Sequence, residues 1–103
     1  MKKLVILPTY NEAKNISNII DILLNLGIDI DILIVDDNSP DNTAQIVKQY
    51  NSNNVFIEER AEKNGLGSAY IHGFNWALEN RYDKIIQMDA DLSHDPKEIS
   101  NLL

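Results

Sequence analysis

Four short apolar runs, separated by segments with helical periodicity, constrain the fold of this chain more than any other feature. The runs cover residues 4–7, 31–35, 55–57 and 84–88. Short apolar runs that are rich in β-branched residues and bounded by turn residues are typical of buried strands. Strands that alternate with helices form a parallel sheet through right-handed crossovers, with helices on both faces. The sequence therefore predicts an α/β, Rossmann-like fold with a mostly parallel sheet.

The segments between these runs predict three helices. Asn11 is the predicted N-cap of the first helix and Gly27 its predicted end. The second helix is predicted to begin at Asp41 or Asn42. The third is predicted to begin at residues 65–67, and its apolar face is expected to consist of Tyr70, Phe74, Ala77 and Leu78.

Length, charge and cysteine content limit the possible functions. The 103 residues allow one domain at most. A net charge of −7 argues against a general nucleic-acid binder, which needs a basic face. The absence of cysteine excludes disulfides and thiolate metal sites and fits a reducing compartment such as the cytoplasm. No apolar stretch approaches the roughly 18 residues of a membrane span. Any membrane contact by this chain is therefore expected to be peripheral.

Acidic clusters follow two of the predicted strands. Asp36 and Asp37 come after the second strand, and Asp89 and Asp91 come after the fourth. Because ligands of open α/β sheets bind outside the carboxyl ends of the strands, both clusters could converge on one crevice. Carboxylates spaced as Asp-x-Asp suit a hard divalent cation, Mg²⁺ or Mn²⁺, which can hold a diphosphate. The alternative is that these acids lie in solvated turns and only cap the helices that follow.

Two other loops also follow predicted strands. After the first strand, Tyr10 could stack on a nucleobase and Glu12 could bind a ribose hydroxyl; a rigid strand-to-helix turn is the alternative. After the third strand, Arg60 and Lys63 precede a Gly-Leu-Gly sequence at 65–67, where backbone N–H groups at a helix start favour anions. This loop matches neither established phosphate-loop pattern, so a plain helix start is the better interpretation.

Four motifs occur in a specific order along nearly the whole chain. They are Leu-Pro-Thr-Tyr-Asn-Glu at 7–12, Val-Asp-Asp-Asn-Ser-Pro-Asp at 35–41, Gly-Leu-Gly-Ser-Ala-Tyr at 65–70 and Met-Asp-Ala-Asp-Leu-Ser-His at 88–94. Together they resemble the family 2 inverting glycosyltransferases, and among these the dolichyl- or polyprenyl-phosphate mannosyltransferases. The resemblance implies a glycosyltransferase-A fold that moves mannose from GDP-mannose to a polyprenyl phosphate at the cytoplasmic face of a membrane.

The same resemblance implies a role for individual residues. The nucleoside pocket is expected to contain Pro8, Tyr10 and Glu12, and the guanine or ribose contacts are expected from Val35 and Asp37. The Mg²⁺ or Mn²⁺ ion on the diphosphate is expected to be held by Asp89 and Asp91, with the backbone of Ala90 beside it; Asp91 is also the expected catalytic residue. Residues 1–103 are expected to be the donor-binding portion of the domain, without the acceptor half.

The same motifs argue against two other functions. A receiver-like switch domain would need its acidic pair after the first strand, where Pro8-Thr9-Tyr10 stands instead. A nucleotidyltransferase would need a Gly-rich signature with Arg and Lys at that position. Among glycosyltransferases, a UDP-sugar such as UDP-glucose remains open as the donor, as does a non-catalytic nucleotide-binding fragment, because the residue types in the pocket do not determine the base.

Overall fold

The computed structural model describes residues 2–61 and 65–90, which form four strands and three helices. Asp91 and Lys63 lie outside the described residues. In chain order the elements are β1 (Lys3–Thr9), α1 (Ile16–Leu24), β2 (Asp31–Asp36), α2 (Thr43–Lys48), β3 (Val55–Glu59), α3 (Leu66–Glu79) and β4 (Lys84–Gln87).

The four strands form one parallel sheet in the order β3-β2-β1-β4. Leu4 of β1 aligns with Asp31 of β2 on one side and with Ile85 of β4 on the other. The chain thus builds outward from β1 to β3 and then returns to the opposite side of β1. In parallel sheets, such a reversal of strand order leaves a crevice at the carboxyl ends of the strands. The predicted α/β fold with a parallel sheet is confirmed.

The two central strands are apolar on both faces because helices cover both faces of the sheet. On one face, α1 and α2 pack over side chains such as Val5 and Ile32. On the other face, α3 packs over side chains such as Leu4 and Leu33. All four of these strand residues have no solvent exposure. The sheet with its helix layers is therefore a rigid platform for the loops at its carboxyl end.

The predicted apolar face of α3 is wrong in part. The buried residues of this helix are Ala69, Gly73 and Ala77, whereas Phe74 is 37% exposed and Leu78 67% exposed. A Cβ atom placed on Gly73 would lie 2.8 Å from Cγ2 of Ile6. The helix therefore approaches β1 so closely that only small residues fit between them, and the larger apolar side chains lie elsewhere on the helix.

The predicted bounds of the first helix also need correction, whereas the second and third helices begin where they were predicted to begin. The first helix begins at Ile16 with Asn15 at the N-cap position, and Asn11 instead takes a left-handed turn conformation with φ of 58°. Its last residue is Leu24, so Gly27, with φ of 77°, lies in the turn beyond the helix. The loop after β1 is thus longer than predicted, because its residues make contacts of their own before the helix begins.

Within residues 2–61 and 65–90, no helix is long and apolar enough to cross a membrane.

Candidate functional site

A crevice of about 220 Å³ opens where the strand order reverses, beside the carboxyl ends of β1 and β4. Its lining comes from the loop after β1, the end of β2, the start of α3 and the residues after β4. The lining residues are Pro8, Thr9, Tyr10, Glu12, Asp37, Gly65, Leu66, Ala69, Asp89 and Ala90.

Most of the residues predicted for the donor site come together in this crevice. The predicted residues that line it are Pro8, Tyr10, Glu12, Asp37, Asp89 and Ala90. Val35 is different, because its side chain has no solvent exposure and belongs to the core beneath α3. Asp91 lies outside the described residues, so its expected ligand and catalytic roles stay predictions.

Asp36 organises the loops beside the crevice. It is 1% exposed, and its Oδ1 accepts hydrogen bonds from the Thr9 hydroxyl at 2.6 Å and the Ser39 hydroxyl at 2.7 Å. Its Oδ2 accepts one from the backbone N–H of Ser39 at 3.0 Å. The Ser39 hydroxyl oxygen in turn accepts the backbone N–H of Asn11 at 3.0 Å. Asp36 is therefore a buried acid that holds the turn after β2 against β1, and not the solvated helix cap of the alternative interpretation.

A second set of bonds joins the same two loops further from the sheet. The backbone N–H of Glu12 donates to the Thr43 hydroxyl at 3.2 Å, and that of Ala13 donates to Oδ2 of Asp41 at 3.1 Å. Asp41 also accepts from the hydroxyl and backbone N–H of Thr43. Partial desolvation acts to raise the pKa of Asp41, but these hydrogen bonds together lower it below its ordinary value. The loop that carries Tyr10 and Glu12 is thus held in place by the start of α2, whose N-cap residue Asn42 makes no side-chain cap bond of its own.

Asp37 faces the crevice and is paired with Arg60. Nε of Arg60 donates to Oδ1 of Asp37 at 2.6 Å and Nη2 donates to Oδ2 at 2.7 Å. Hydrogen bonding to Asp37 raises the pKa of Arg60 and outweighs the opposing effect of burial. The sequence patterns placed Arg60 only in a basic loop. Because β2 and β3 are neighbours, an acid just after one strand and an arginine just after the other was the available signal for this pair.

Asp89 follows β4 and supplies another carboxylate to the crevice. Its Oδ1 accepts a hydrogen bond from the Tyr70 hydroxyl at 2.8 Å, which orients the carboxylate from α3. No three His, Cys, Asp or Glu side chains in the described ranges are grouped closely enough to hold a metal ion by themselves. An oxygen donor set with few protein ligands fits Mg²⁺ or Mn²⁺, which usually keep several waters and take further ligands from substrate phosphates. The chemistry of Asp89 therefore fits the expected divalent cation.

The motifs and the crevice agree with a family model. The model described as glycosyl transferase family 2 matches residues 4–103. The chain belongs to this family. The resemblance to this family inferred from the four motifs is confirmed.

Two curated proteins have sequences similar to this chain. The polyprenol monophosphomannose synthase of Mycolicibacterium smegmatis is 41% identical over 99% of this chain and 40% of its own length. The undecaprenyl-phosphate mannosyltransferase of Micrococcus luteus is 41% identical over 100% of this chain and 43% of its own length. The chain therefore spans less than half the length of these relatives.

Two solved structures have similar folds. The mannosyltransferase PcManGT of Pyrobaculum calidifontis, solved in complex with GDP-Man and Mn²⁺, matches with a TM-score of 0.72 and 26% identity over 87% of this chain and 27% of that protein. TarS of S. aureus matches with a TM-score of 0.77 and 30% identity over 98% of this chain and 30% of the solved chain. These matches identify the sheet and its helices as the glycosyltransferase-A fold.

Proposed function

We propose that this chain forms the donor-binding portion of a glycosyltransferase that transfers mannose from GDP-mannose to a dolichyl or polyprenyl phosphate. The observation that carries the proposal is the crevice at the strand-order reversal. It collects an aromatic ring and three carboxylates from the loops after β1, β2 and β4, in a chain similar to polyprenyl-phosphate mannosyltransferases. The proposal includes inversion at the anomeric carbon, which the motif resemblance implies.

The loop after β1 offers the groups that a nucleoside needs. Tyr10 is 37% exposed at the wall of the crevice, where its ring can stack on a base. Glu12 also lines the crevice, and its Oε2 accepts one hydrogen bond from Nδ2 of Asn15 at 3.2 Å. A carboxylate has about four acceptor positions, so Glu12 retains capacity for a ribose hydroxyl. Asp37 supplies a further acceptor for N–H or O–H groups of the nucleoside.

The diphosphate needs positive charge in this acidic chain, whose net charge is −7. The proposed ligands of Mg²⁺ or Mn²⁺ are Asp89 and Asp91. Tyr70 orients the carboxylate of Asp89, and the role of Asp91 is implied by the motif resemblance. When bound, such a cation supplies positive charge beside the leaving diphosphate. Pro8 and Ala90 complete the wall of the crevice with backbone and apolar surface.

The acceptor chemistry explains why this site needs no strong general base. One phosphate oxygen of the acceptor forms a bond to the anomeric carbon of mannose as the bond from that carbon to GDP breaks. The attacking oxygen is already anionic, so no proton has to be removed before attack. Attack opposite the leaving group inverts the anomeric centre. Since the proposed acceptor is a lipid phosphate, the whole protein is proposed to act at a membrane surface, on its cytoplasmic face.

The decisive test is a calorimetric titration of the purified chain with GDP and with UDP, each with and without Mn²⁺. We expect Mn²⁺-dependent binding of GDP, and we expect Asp89→Asn to weaken it by at least about tenfold, or about 1.4 kcal/mol. The asparagine keeps an oxygen acceptor for Tyr70 and removes the charge. The matched control is Asp83→Asn, because Asp83 lies just before β4, at the opposite end of that strand.

The possible outcomes separate the parts of the proposal. A preference for UDP would indicate a glycosyltransferase whose donor is a UDP-sugar instead of GDP-mannose. If the Asp89→Asn variant binds GDP with Mn²⁺ as tightly as the wild type, the proposal that Asp89 is a metal ligand is wrong. A folded chain that binds neither nucleotide would contradict the donor-binding role.

A further inference from the structure

We propose that Arg60 is a positioning residue of the donor site, which holds the Asp37 carboxylate in the crevice and joins the two walls on either side of it. The inference rests on the proposed function, since it takes the crevice to be a nucleoside-diphosphate site. Arg60 is not among the residues that line the crevice. Its effect on a ligand must therefore pass through the residues that it holds.

The side chain of Arg60 uses three nitrogens on two partners. Nε and Nη2 bind the two oxygens of Asp37 at 2.6 and 2.7 Å, and Nη1 donates to the Ser68 hydroxyl at 2.7 Å. A planar guanidinium that binds both oxygens of a carboxylate fixes the plane of that carboxylate as well as its position. Asp37 is thus held in a single orientation toward the crevice.

The ion pair is almost removed from solvent. The side chain of Arg60 is 10% exposed and that of Asp37 is 6% exposed. Solvent screening is weak at such a site, so the pair holds its geometry more firmly than an ion pair on the surface does. Arg60 uses two of the acceptor positions of the carboxylate, and about two others stay available for N–H or O–H groups of a ligand.

The backbone contacts of these residues connect the strand ends. The N–H of Asp37 donates to the carbonyl of Thr9 at 3.1 Å, and the N–H of Arg60 donates to the carbonyl of Asp36 at 2.8 Å. The ends of β1, β2 and β3 are therefore joined in sequence. The side chain of Arg60 then extends this connection to Ser68 in the first turn of α3.

The bond from Arg60 to α3 matters because it links the residues that form the two walls of the crevice. Pro8, Tyr10 and Asp37 lie on the strand side, and Leu66 and Ala69 lie on the helix side. Arg60 donates hydrogen bonds to Asp37 on the strand side and to Ser68 on the helix side, and Ser68 directly precedes Ala69 in the chain. Loss of the guanidinium would leave the Asp37 carboxylate buried without a counter-charge and would remove the side-chain bond between Asp37 and the start of α3.

The test compares binding of two probes by calorimetry, GDP with Mn²⁺ and inorganic pyrophosphate with Mn²⁺. Arg60→Gln should weaken GDP binding about 10- to 100-fold, because a carboxylate that is no longer held in its plane loses charge-assisted hydrogen bonds to the nucleoside. Pyrophosphate binding should change less than about threefold, since this probe has no nucleoside to meet Asp37. Arg60→Lys keeps the charge without the planar fork, so its GDP affinity should fall between those of the wild type and the glutamine variant.

Two further variants separate positioning from a general loss of structure. In an Asp37→Asn background, Arg60→Gln should cause a clearly smaller loss of GDP affinity than in the wild type, because the effect through Asp37 is already absent and only the bond to Ser68 remains. The matched control is Lys48→Gln, which breaks the ion pair between Lys48 and Glu59 at 2.7 Å on the exposed side of β3. This control should leave the GDP affinity unchanged.

Each result decides the inference. If Arg60→Gln binds GDP as tightly as the wild type, or loses the same factor with and without Asp37, Arg60 does not position Asp37. If Arg60→Gln does not fold, the comparison of Arg60→Lys with the wild type decides, and equal affinities overturn the inference. If the folded wild type binds no GDP, both the proposed function and the inference are wrong. In the other cases the wild type binds GDP, so only the inference about Arg60 is wrong.

Discussion

At the scale of single residues, aromatic stacking on the base can be tested at Tyr10. Tyr10→Ala should weaken GDP binding about 10- to 100-fold, since one base stacked on an aromatic ring contributes about 1–3 kcal/mol. Tyr10→Phe keeps the ring and should stay within a few-fold of the wild type. Phe74→Ala is the matched control, because Phe74 is equally exposed, at 37%, but lies outside the crevice lining. Equal losses in Tyr10→Ala and Phe74→Ala, measured by titration, would contradict a stacking role.

A second prediction at this scale concerns the pH dependence of the loop contacts made by Asp41. Its pKa is lowered in the folded chain below the ordinary value of 3.8, despite partial desolvation, by hydrogen bonds from Thr43 and Ala13. A group with a depressed folded-state pKa stabilises the protein above its unfolded pKa, and this contribution is lost as the pH falls through the folded pKa. The wild type should therefore melt at a higher temperature than Asp41→Asn at about pH 6, and the difference should shrink below about pH 4.

The control for this prediction is Asp29→Asn, a substitution at an exposed position in the turn before β2. Thermal melts of the three proteins between about pH 6 and about pH 3 provide the measurement. A difference between the wild type and Asp41→Asn that grows as the pH falls would show that the sign of the linkage is wrong.

At the scale of elements, the close packing of α3 on β1 predicts opposite effects for two glycines of the same helix. Gly73→Ala would put a methyl group 2.8 Å from Cγ2 of Ile6, and we expect a loss of about 1–3 kcal/mol in unfolding free energy from overpacking. A methyl group at Gly67 would have no neighbouring atom within 4 Å, so Gly67→Ala should stabilise the chain by about 0.5–1 kcal/mol.

Urea unfolding of both variants and the wild type measures these changes. The pair controls for helix propensity, because both substitutions replace glycine by alanine within α3. If Gly73→Ala stabilised the chain as much as Gly67→Ala, the contact between α3 and β1 would be looser than the structure indicates.

At the scale of the whole molecule, the strand order predicts how stability is distributed. Within the described residues, β1 and β2 pair with a strand on each side, whereas β3 and β4 each pair on one side only. Backbone amide hydrogens of buried central strands exchange with solvent only when a large part of the protein unfolds, which makes their exchange slow. Residues such as Val5 and Leu33, with no solvent exposure, should therefore show slower hydrogen exchange than Phe56 and Ile85. Native-state exchange followed by NMR is the measurement, and equal protection in all four strands would contradict this distribution.

The local patterns of the sequence are enough to predict the strands, the class of fold and most of the crevice residues. Apolar runs with turn residues at both ends locate β1 to β4 within about two residues. Alternation with helices then requires a parallel sheet, and a parallel sheet brings the loops after its strands to one edge. For this reason the sequence patterns alone assign Tyr10, Glu12 and Asp89, which are distant along the chain, to one site.

The different roles of neighbouring residues follow from the packed molecule and not from the sequence patterns. Asp36 and Asp37 are adjacent and identical in type, yet one ties loops together through Thr9 and Ser39 and the other faces the crevice with Arg60. The buried face of α3 likewise follows from the space that β1 leaves beside Gly73. Local periodicity determines which elements form, because it depends on residues a few positions apart. Thr9, the partner of Asp36 in β1, is 27 positions away along the chain, and Arg60, the partner of Asp37, is 23 positions away, so only tertiary packing specifies these contacts.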